Sequence, residues 1–320
     1  MKWQLKLIKN YAIALLPMQR TLRTFKRRLW PYPAALDDQT LEQGLRQIEM
    51  LRAAGISLAG KVVLELGTGW KPTIPFLFML AGCREVLLVD SQRLLDRALI
   101  AGTARALTAR RQVLAERLGV GVEMVEQRLR APAHTDLNGL LRHYRMRYLA
   151  PFDARRTGLP KESVDIVISR AVLEHVPPPT VDALFAEFAR VLKHDGAMCY
   201  VIDNSDHWEH GDKSISRVNF LKFPDRLWRV ITINPLDYQN RLRHFEYAEM
   251  LRRHGFDIVL DWSAPDSAAV EALKAVKVCE RYRHVPHEAL AILTSYVVAA
   301  RHPLLLPLPL REREEVRVRC

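Results

Sequence analysis

At 320 residues, with 49% apolar and 26% charged side chains, the chain has the make-up of a globular protein with room for one large domain and appendages, which excludes a disordered or collagen-like chain. No apolar run approaches the roughly 20 residues of a bilayer-spanning helix, and Cys83, Cys199, Cys279 and Cys320 form no CxxC pair, so neither a zinc ribbon nor a disulfide framework is expected and a reducing, cytoplasmic compartment fits. The net charge of +12 is concentrated in the first thirty residues, which hold eight Lys and Arg and no acid; the body, 31–300, is nearly neutral, which argues against a nucleic-acid partner.

The chain opens with a basic arm, 1–35. Trp3, Leu7, Tyr11 and Leu15 recur every four residues, with Leu5, Ile8, Ala12 and Leu16 beside them, so a helix would gather a broad apolar face. Two readings follow: peripheral contact of residues 1–30 with an anionic membrane, at its inner face, or a helix packed on the body. A secretory signal is not expected, because Pro17 ends the short apolar stretch and the basic run Arg20–Arg28 follows.

Beyond Trp30-Pro31-Tyr32-Pro33, residues 38–54 read as a helix. Strand-like runs follow at 62–66, 85–89, 148–152, 164–169, 197–203, 256–262 and 291–300. Helical patterns fill most gaps, at 73–81, 91–118, much of 119–147, 179–193 and 246–254. Strands alternating with helices predict a doubly wound, mostly parallel seven-stranded sheet with helices on both faces, over 36–300. Residues 301–320 are punctuated by Pro303, Pro307 and Pro309 and are expected to be a disordered tail.

The strongest functional signal is VVLELGTGW, 62–70. A buried strand delivers a glycine turn to the carboxyl edge of the sheet, where open α/β sheets bind ligands. Gly67 and Gly69 allow a tight turn and close ligand approach. The next strand ends in Asp90, whose carboxylate suits a ribose diol. A turn and an acid so placed point to an adenosine-containing ligand. The nicotinamide fingerprint fails, because Pro72 stands where its third glycine belongs.

Residues 62–203 resemble the class I S-adenosylmethionine-dependent methyltransferases of the broad type 11 kind. The resemblance rests on Glu65-Leu66-Gly67-Thr68-Gly69, on Asp90, on Phe152-Asp153-Ala154, on VDIVISRAVLEHV (164–176) and on RVLKHDG (190–196). It implies a Rossmann-like fold, S-adenosylmethionine as methyl donor, and a donor site built from Glu65, Gly67, Gly69, Asp90, Asp153 and Arg170. Many members carry a further glycine where Lys71 stands here.

Methyl transfer needs alignment above all, and a hydroxyl acceptor gains from a base. The candidate catalytic residues are His175, His207 and His210, the last two in DNSDHWEHGD, 203–212. His207 and His210 have ligand-like spacing, yet no metal is expected, since they sit in a loop and similar enzymes generally need none. A helical insertion, about 101–147, is expected to lie over the site with Arg128, Arg130, Arg142, Arg145 and Arg147. An acceptor-side insertion, about 204–245, brings Phe220, Phe223, Trp228 and Tyr238. The expected activity is O-methylation of a small-molecule or glycan, even lipid-linked, acceptor. The alternatives are a catalytically silent adenosyl-binding module and an RNA or protein methyltransferase, the latter disfavoured because no NPPY-like motif follows strand four.

Overall fold

A computed structural model describes residues 2–14, 36–235 and 237–301. Leu15, the basic run at 20–28 and residues 302–320 of the tail lie outside the described residues. The strands are β1 (Val62–Leu66), β2 (Glu85–Val89), β3 (Met146–Leu149), β4 (Val164–Arg170), β5 (Leu192–Asp203), β6 (Asp257–Asp261) and β7 (Thr294–Ala300). The helices are α1 (Trp3–Ala14), α2 (Asp38–Ala53), α3 (Thr73–Leu80), α4 (Arg97–Thr108), α5 (Arg111–Leu118), α6 (Val122–Leu129), α7 (Leu137–His143), α8 (Pro178–Val191), α9 (Asp225–Ile231), α10 (His244–Arg253), α11 (Ser267–Ala275) and α12 (His287–Leu290).

The seven strands form one sheet in the order β3-β2-β1-β4-β5-β7-β6. β1 to β5 run parallel, and β7 lies antiparallel to both β5 and β6. β1 pairs with β2 on one side and β4 on the other and is buried along its whole length, which is why it reads as unbroken Val, Leu and one acid. The strand order reverses between β1 and β4, so their carboxyl ends frame the switch-point crevice.

Each sheet face has its own core. Leu45, Ile48, Phe76 and Phe78 of α2 and α3 cover one, and Phe185 and Phe188 of α8 with Leu251 of α10 cover the other. The segment expected as one helix over 91–118 is two. Asp96 caps α4 by accepting from the Leu99 amide at 2.8 Å, which leaves 91–95 outside it, and the helix stops at Thr108. Likewise β3 ends at Leu149 rather than 152, since Pro151 cannot donate to a ladder.

The helical insertion does not lie over the site. Leu107, Leu114, Leu118, Val125 and Leu140 join the core beneath α2 and α3. Arg128 donates to the carbonyls of Met79 and Leu80, at the end of α3 remote from the glycine turn. Arg145 lines the same distant cavity as Arg128, and Arg147 faces Glu85 at 3.8 Å.

A third cluster, built on Trp208, Phe220, Phe223 and Trp228, caps the β5 end, with Trp3 and Leu7 of α1 packed on it. Trp3 stacks on Trp208 with centroids 5.4 Å apart and planes 10° apart. Its amide donates to Asp212 Oδ2 at 2.8 Å, Asn10 donates to Asp237 Oδ2 at 2.6 Å, and the Tyr11 hydroxyl donates to the Val230 carbonyl at 2.7 Å. Trp3, Leu7 and Tyr11 therefore face the body rather than a lipid surface. Leu5 and Ile8, on the other side of the helix, stay 55% and 65% exposed.

Candidate functional site

β1 ends in the glycine turn. Gly67 has φ +79°, and a Cβ there would stand 2.3 Å from Val172 Cγ2, so only glycine fits. Gly69, with φ +63°, donates its amide to Asp90 Oδ2 at 2.9 Å. Asp90 Oδ1 accepts from the Gln92 amide at 2.9 Å. Asp90 thus braces the turn from the end of β2. Burial raises its pKa, with these amides working the other way.

Beneath the turn lies Glu65, which accepts from the Thr68 hydroxyl at 2.6 Å. Burial pushes its carboxyl up to about 8; the Thr68 bond opposes this, and the neighbouring Asp90 adds to it. Glu65, Gly67, Gly69 and Lys71 line a cavity of about 310 Å³ together with Asp37 and Arg170. Lys71, in the place of the third glycine, swings to Asp37, with Nζ 3.6 Å from Oδ2.

A second cavity of about 330 Å³ opens over the ends of β4 and β5, lined by Gln39, Gln43, Arg170, Asp203, His210 and Arg217 among others. The two cavities share Arg170 and Ala171. Arg170 donates from Nε to Gln43 Oε1 at 2.6 Å, so α2 holds the guanidinium at the junction.

Beside the second cavity the three candidate histidines form a row. The ring centroids of His175 and His207 are 5.0 Å apart, and those of His207 and His210 5.2 Å. Asp203 Oδ2 lies 3.4 Å from His207 Nε2 and 4.0 Å from His210 Nε2. Burial would raise the Asp203 pKa, but the facing His207 ring and the hydrogen bonds from Ser205 win and hold it far below the usual carboxylate range. Of the three, only His210 lines the cavity. Its pKa is lowered by burial and by His207, so a neutral ring is favoured there. His175 is tied by Nδ1 to the Tyr238 carbonyl at 2.9 Å.

Asp153 faces solvent, gripped by Arg155 through Nε and Nη2 at 2.9 and 2.8 Å, which lowers its pKa to about 2; it lines neither cavity. In 203–212 the other acids brace the loop: Asp206 accepts the Trp208 amide at 2.9 Å, and Asp212 holds Trp3 and Ser214. Sequence reasoning missed Asp203, although an acid at the end of β5 obeys the same logic as Asp90. It also missed Gln43, for which a polar residue on a helix gives no signal. And it left the site without a metal-type cluster, whereas one atom each of Glu174, His175 and His207 lies within 4.8 Å of the others.

Residues 109–200, from the end of α4 through most of β5, match the family described as a methyltransferase domain. The match leaves out the glycine turn. Among curated proteins none matches the chain in sequence. Solved structures of similar fold include an S-adenosylmethionine dependent methyltransferase from Mesorhizobium loti, 16% identical over 78% of this chain and 94% of that one, TM-score 0.42. Another is the 1,6-didemethyltoxoflavin-N1-methyltransferase of Burkholderia thailandensis with S-adenosylhomocysteine, 17% identical over 82% and 80%, TM-score 0.42. Residues 109–200 are thus similar to a methyltransferase domain and lie within a seven-stranded sheet of this order.

Proposed function

We propose that the two joined cavities hold donor and acceptor, and that the enzyme methylates an oxygen of a small polar or glycan-type acceptor. The observation that carries this is the shared wall at Arg170 and Ala171, which sets a glycine-turn cavity against a polar one. Gly67 lets the turn pass close against Val172, and the space beside Gly69 is open to a ligand. Asp90 keeps lone pairs for a ribose diol beyond the two amides it accepts. Arg170 and Lys71 are the cations available to the donor's carboxylate. The donor, when bound, supplies an electrophilic methyl group, so the protein's task is alignment more than activation. His210, neutral and beside Asp203, takes the acceptor's proton, and the Asp203 carboxylate stabilises the imidazolium that results.

A second element concerns location. α1 packs on the cap beside the acceptor cavity and turns Leu5 and Ile8 outward, while Leu227 and Val230 on α9 and the nearby Ile233 are also exposed. The Tyr11–Val230 bond joins the two helices. Together with the acid-free basic residues 1–30, this apolar pair of faces favours peripheral attachment to an anionic membrane, where lipid-linked acceptors reside. Among the described residues no helix is long and apolar enough to cross a membrane.

The test is transfer of labelled methyl from S-adenosylmethionine into soluble and lipid fractions of a cell extract. Alkali-stable, ether-type label in a polar acceptor is expected. Label confined to nucleic acid or protein would overturn the acceptor reading.

A further inference from the structure

Glu174 and His175 form the 3-10 turn after β4, and His207 lies in the loop after β5. Their ligand-type atoms converge within 4.8 Å of one another. Glu174 is only 2% exposed, and neither of its carboxylate oxygens has a hydrogen-bond partner in full geometry among the described residues. A buried carboxylate left so is costly unless protonated or matched by a cation. Asp203 adds to the cost of its negative charge, while Arg170 and the backbone amides of Glu174 and Asp203 reduce it. His207 Nε2 is also buried and makes no full hydrogen bond, facing Asp203 at 3.4 Å.

His175 is already oriented. The Tyr238 carbonyl can only accept, so Nδ1 carries the proton and Nε2 keeps its lone pair. Ligating histidines are fixed in this way by a carbonyl on the other ring nitrogen.

We infer that Glu174, His175 and His207 bind one divalent cation of the borderline kind, Zn²⁺ or Co²⁺. Two imidazoles with one carboxylate suit such ions better than Mg²⁺ or Ca²⁺, which favour all-oxygen sets. The ion would neutralise Glu174 and pin the β4 turn to the β5 loop. None of the three residues lines either cavity, so its part is to hold Asp203 and His210 in place rather than to touch the acceptor. The inference stands independently of the acceptor assigned above.

The experiment uses the full chain, without an affinity tag, stripped with a chelator and titrated with Co²⁺ followed by visible absorption, with Zn²⁺ as competitor. One equivalent is expected to give the intense bands of four- or five-coordinate Co²⁺ and to raise the melting temperature. His207→Gln and Glu174→Gln are each expected to weaken binding more than about tenfold, the scale on which even ligand-orienting groups act. His210→Gln is expected to leave it unchanged. Circular dichroism confirms the fold of each variant, and His207→Gln alone decides if Glu174→Gln does not fold. Absence of such bands at one equivalent, or binding unchanged in a folded His207→Gln, overturns the site.

Discussion

Arg170 reaches from the end of β4 to Gln43 on α2, Nε to Oε1 at 2.6 Å, and this bond fixes a guanidinium where the two cavities meet. With Nε spent on Gln43, the terminal nitrogens remain for an anion at the junction. Arg170→Met is therefore expected to lower kcat/KM at least tenfold, about 1.4 kcal/mol of lost transition-state stabilisation. Arg170→Lys should not rescue it, because an ammonium cannot both hold Gln43 and present a planar fork. Gln43→Leu should act in the same direction but less. Steady-state kinetics and calorimetry with S-adenosylhomocysteine separate a donor role from an acceptor role. Unchanged kinetics in Arg170→Met would remove the residue from the site.

Asp90 and Asp153 were expected to serve one ligand, and their surroundings predict opposite outcomes. Asp90→Ala should weaken S-adenosylhomocysteine binding by about 1.5–3 kcal/mol, the range for hydrogen bonds to a charged group. It should also lower stability, since the Gly69 and Gln92 amides lose their acceptor. Asp153→Ala removes only an exposed pair with Arg155 and should shift neither quantity by more than about 0.5 kcal/mol. Calorimetry and thermal melts on both variants check this, and equal losses in the two would restore Asp153 to the donor site.

The inner strands were legible because they are short buried runs rich in Val, Ile and Leu, as Val62–Leu66 and Val164–Arg170 illustrate. The glycine turn was legible because positive φ at Gly67 and Gly69 leaves few other residues able to stand there. Side-chain partnerships across distant segments were not. Nothing local distinguishes Asp153 paired with Arg155 from an acid facing adenine, nor shows that Gln43 on α2 meets Arg170, 127 positions on. The apolar stripe of α1 was seen, but a stripe does not name its partner: Trp208, 205 positions on, stacks on Trp3. The insertion helices were misplaced for the same reason, since Arg128 is drawn to free carbonyls at the end of α3 that no spacing rule reveals.

Glu65 predicts a pH dependence of stability in the ligand-free enzyme. Its folded pKa is about 8 against 4.5 for the free side chain, with burial the main cause. Between those values the folded protein keeps a proton that the unfolded chain releases. Stability therefore falls as pH rises through this window and levels off above it. Glu65→Gln keeps the shape and removes the titration. Melting curves from about pH 5 to pH 9 should show the wild type losing ground to Glu65→Gln as pH rises. A constant difference across the range would mean that Glu65 is already ionised in the fold.

α1 has two faces, and the predictions for them diverge. The inner face is structural. Trp3 stacks on Trp208, and its amide holds Asp212, so Trp3→Ala should cost about 1–3 kcal/mol, below the full range for a completely buried tryptophan because Trp3 is only half-buried. The outer face bears no such load. Ile8→Glu and Val230→Glu replace exposed side chains and should leave the melting temperature within a degree or two. If this face meets lipid, the same changes remove apolar insertion and add repulsion from acidic headgroups. The full chain should then sediment with vesicles containing anionic lipid, less so as salt rises, and the double variant should stay in the supernatant. Neutral vesicles should bind weakly, because the basic residues 1–30 then have no counter-charge. Equal sedimentation of wild type and double variant would move any membrane contact away from α1 and α9. A double variant that melts several degrees lower would show instead that this face is covered by protein.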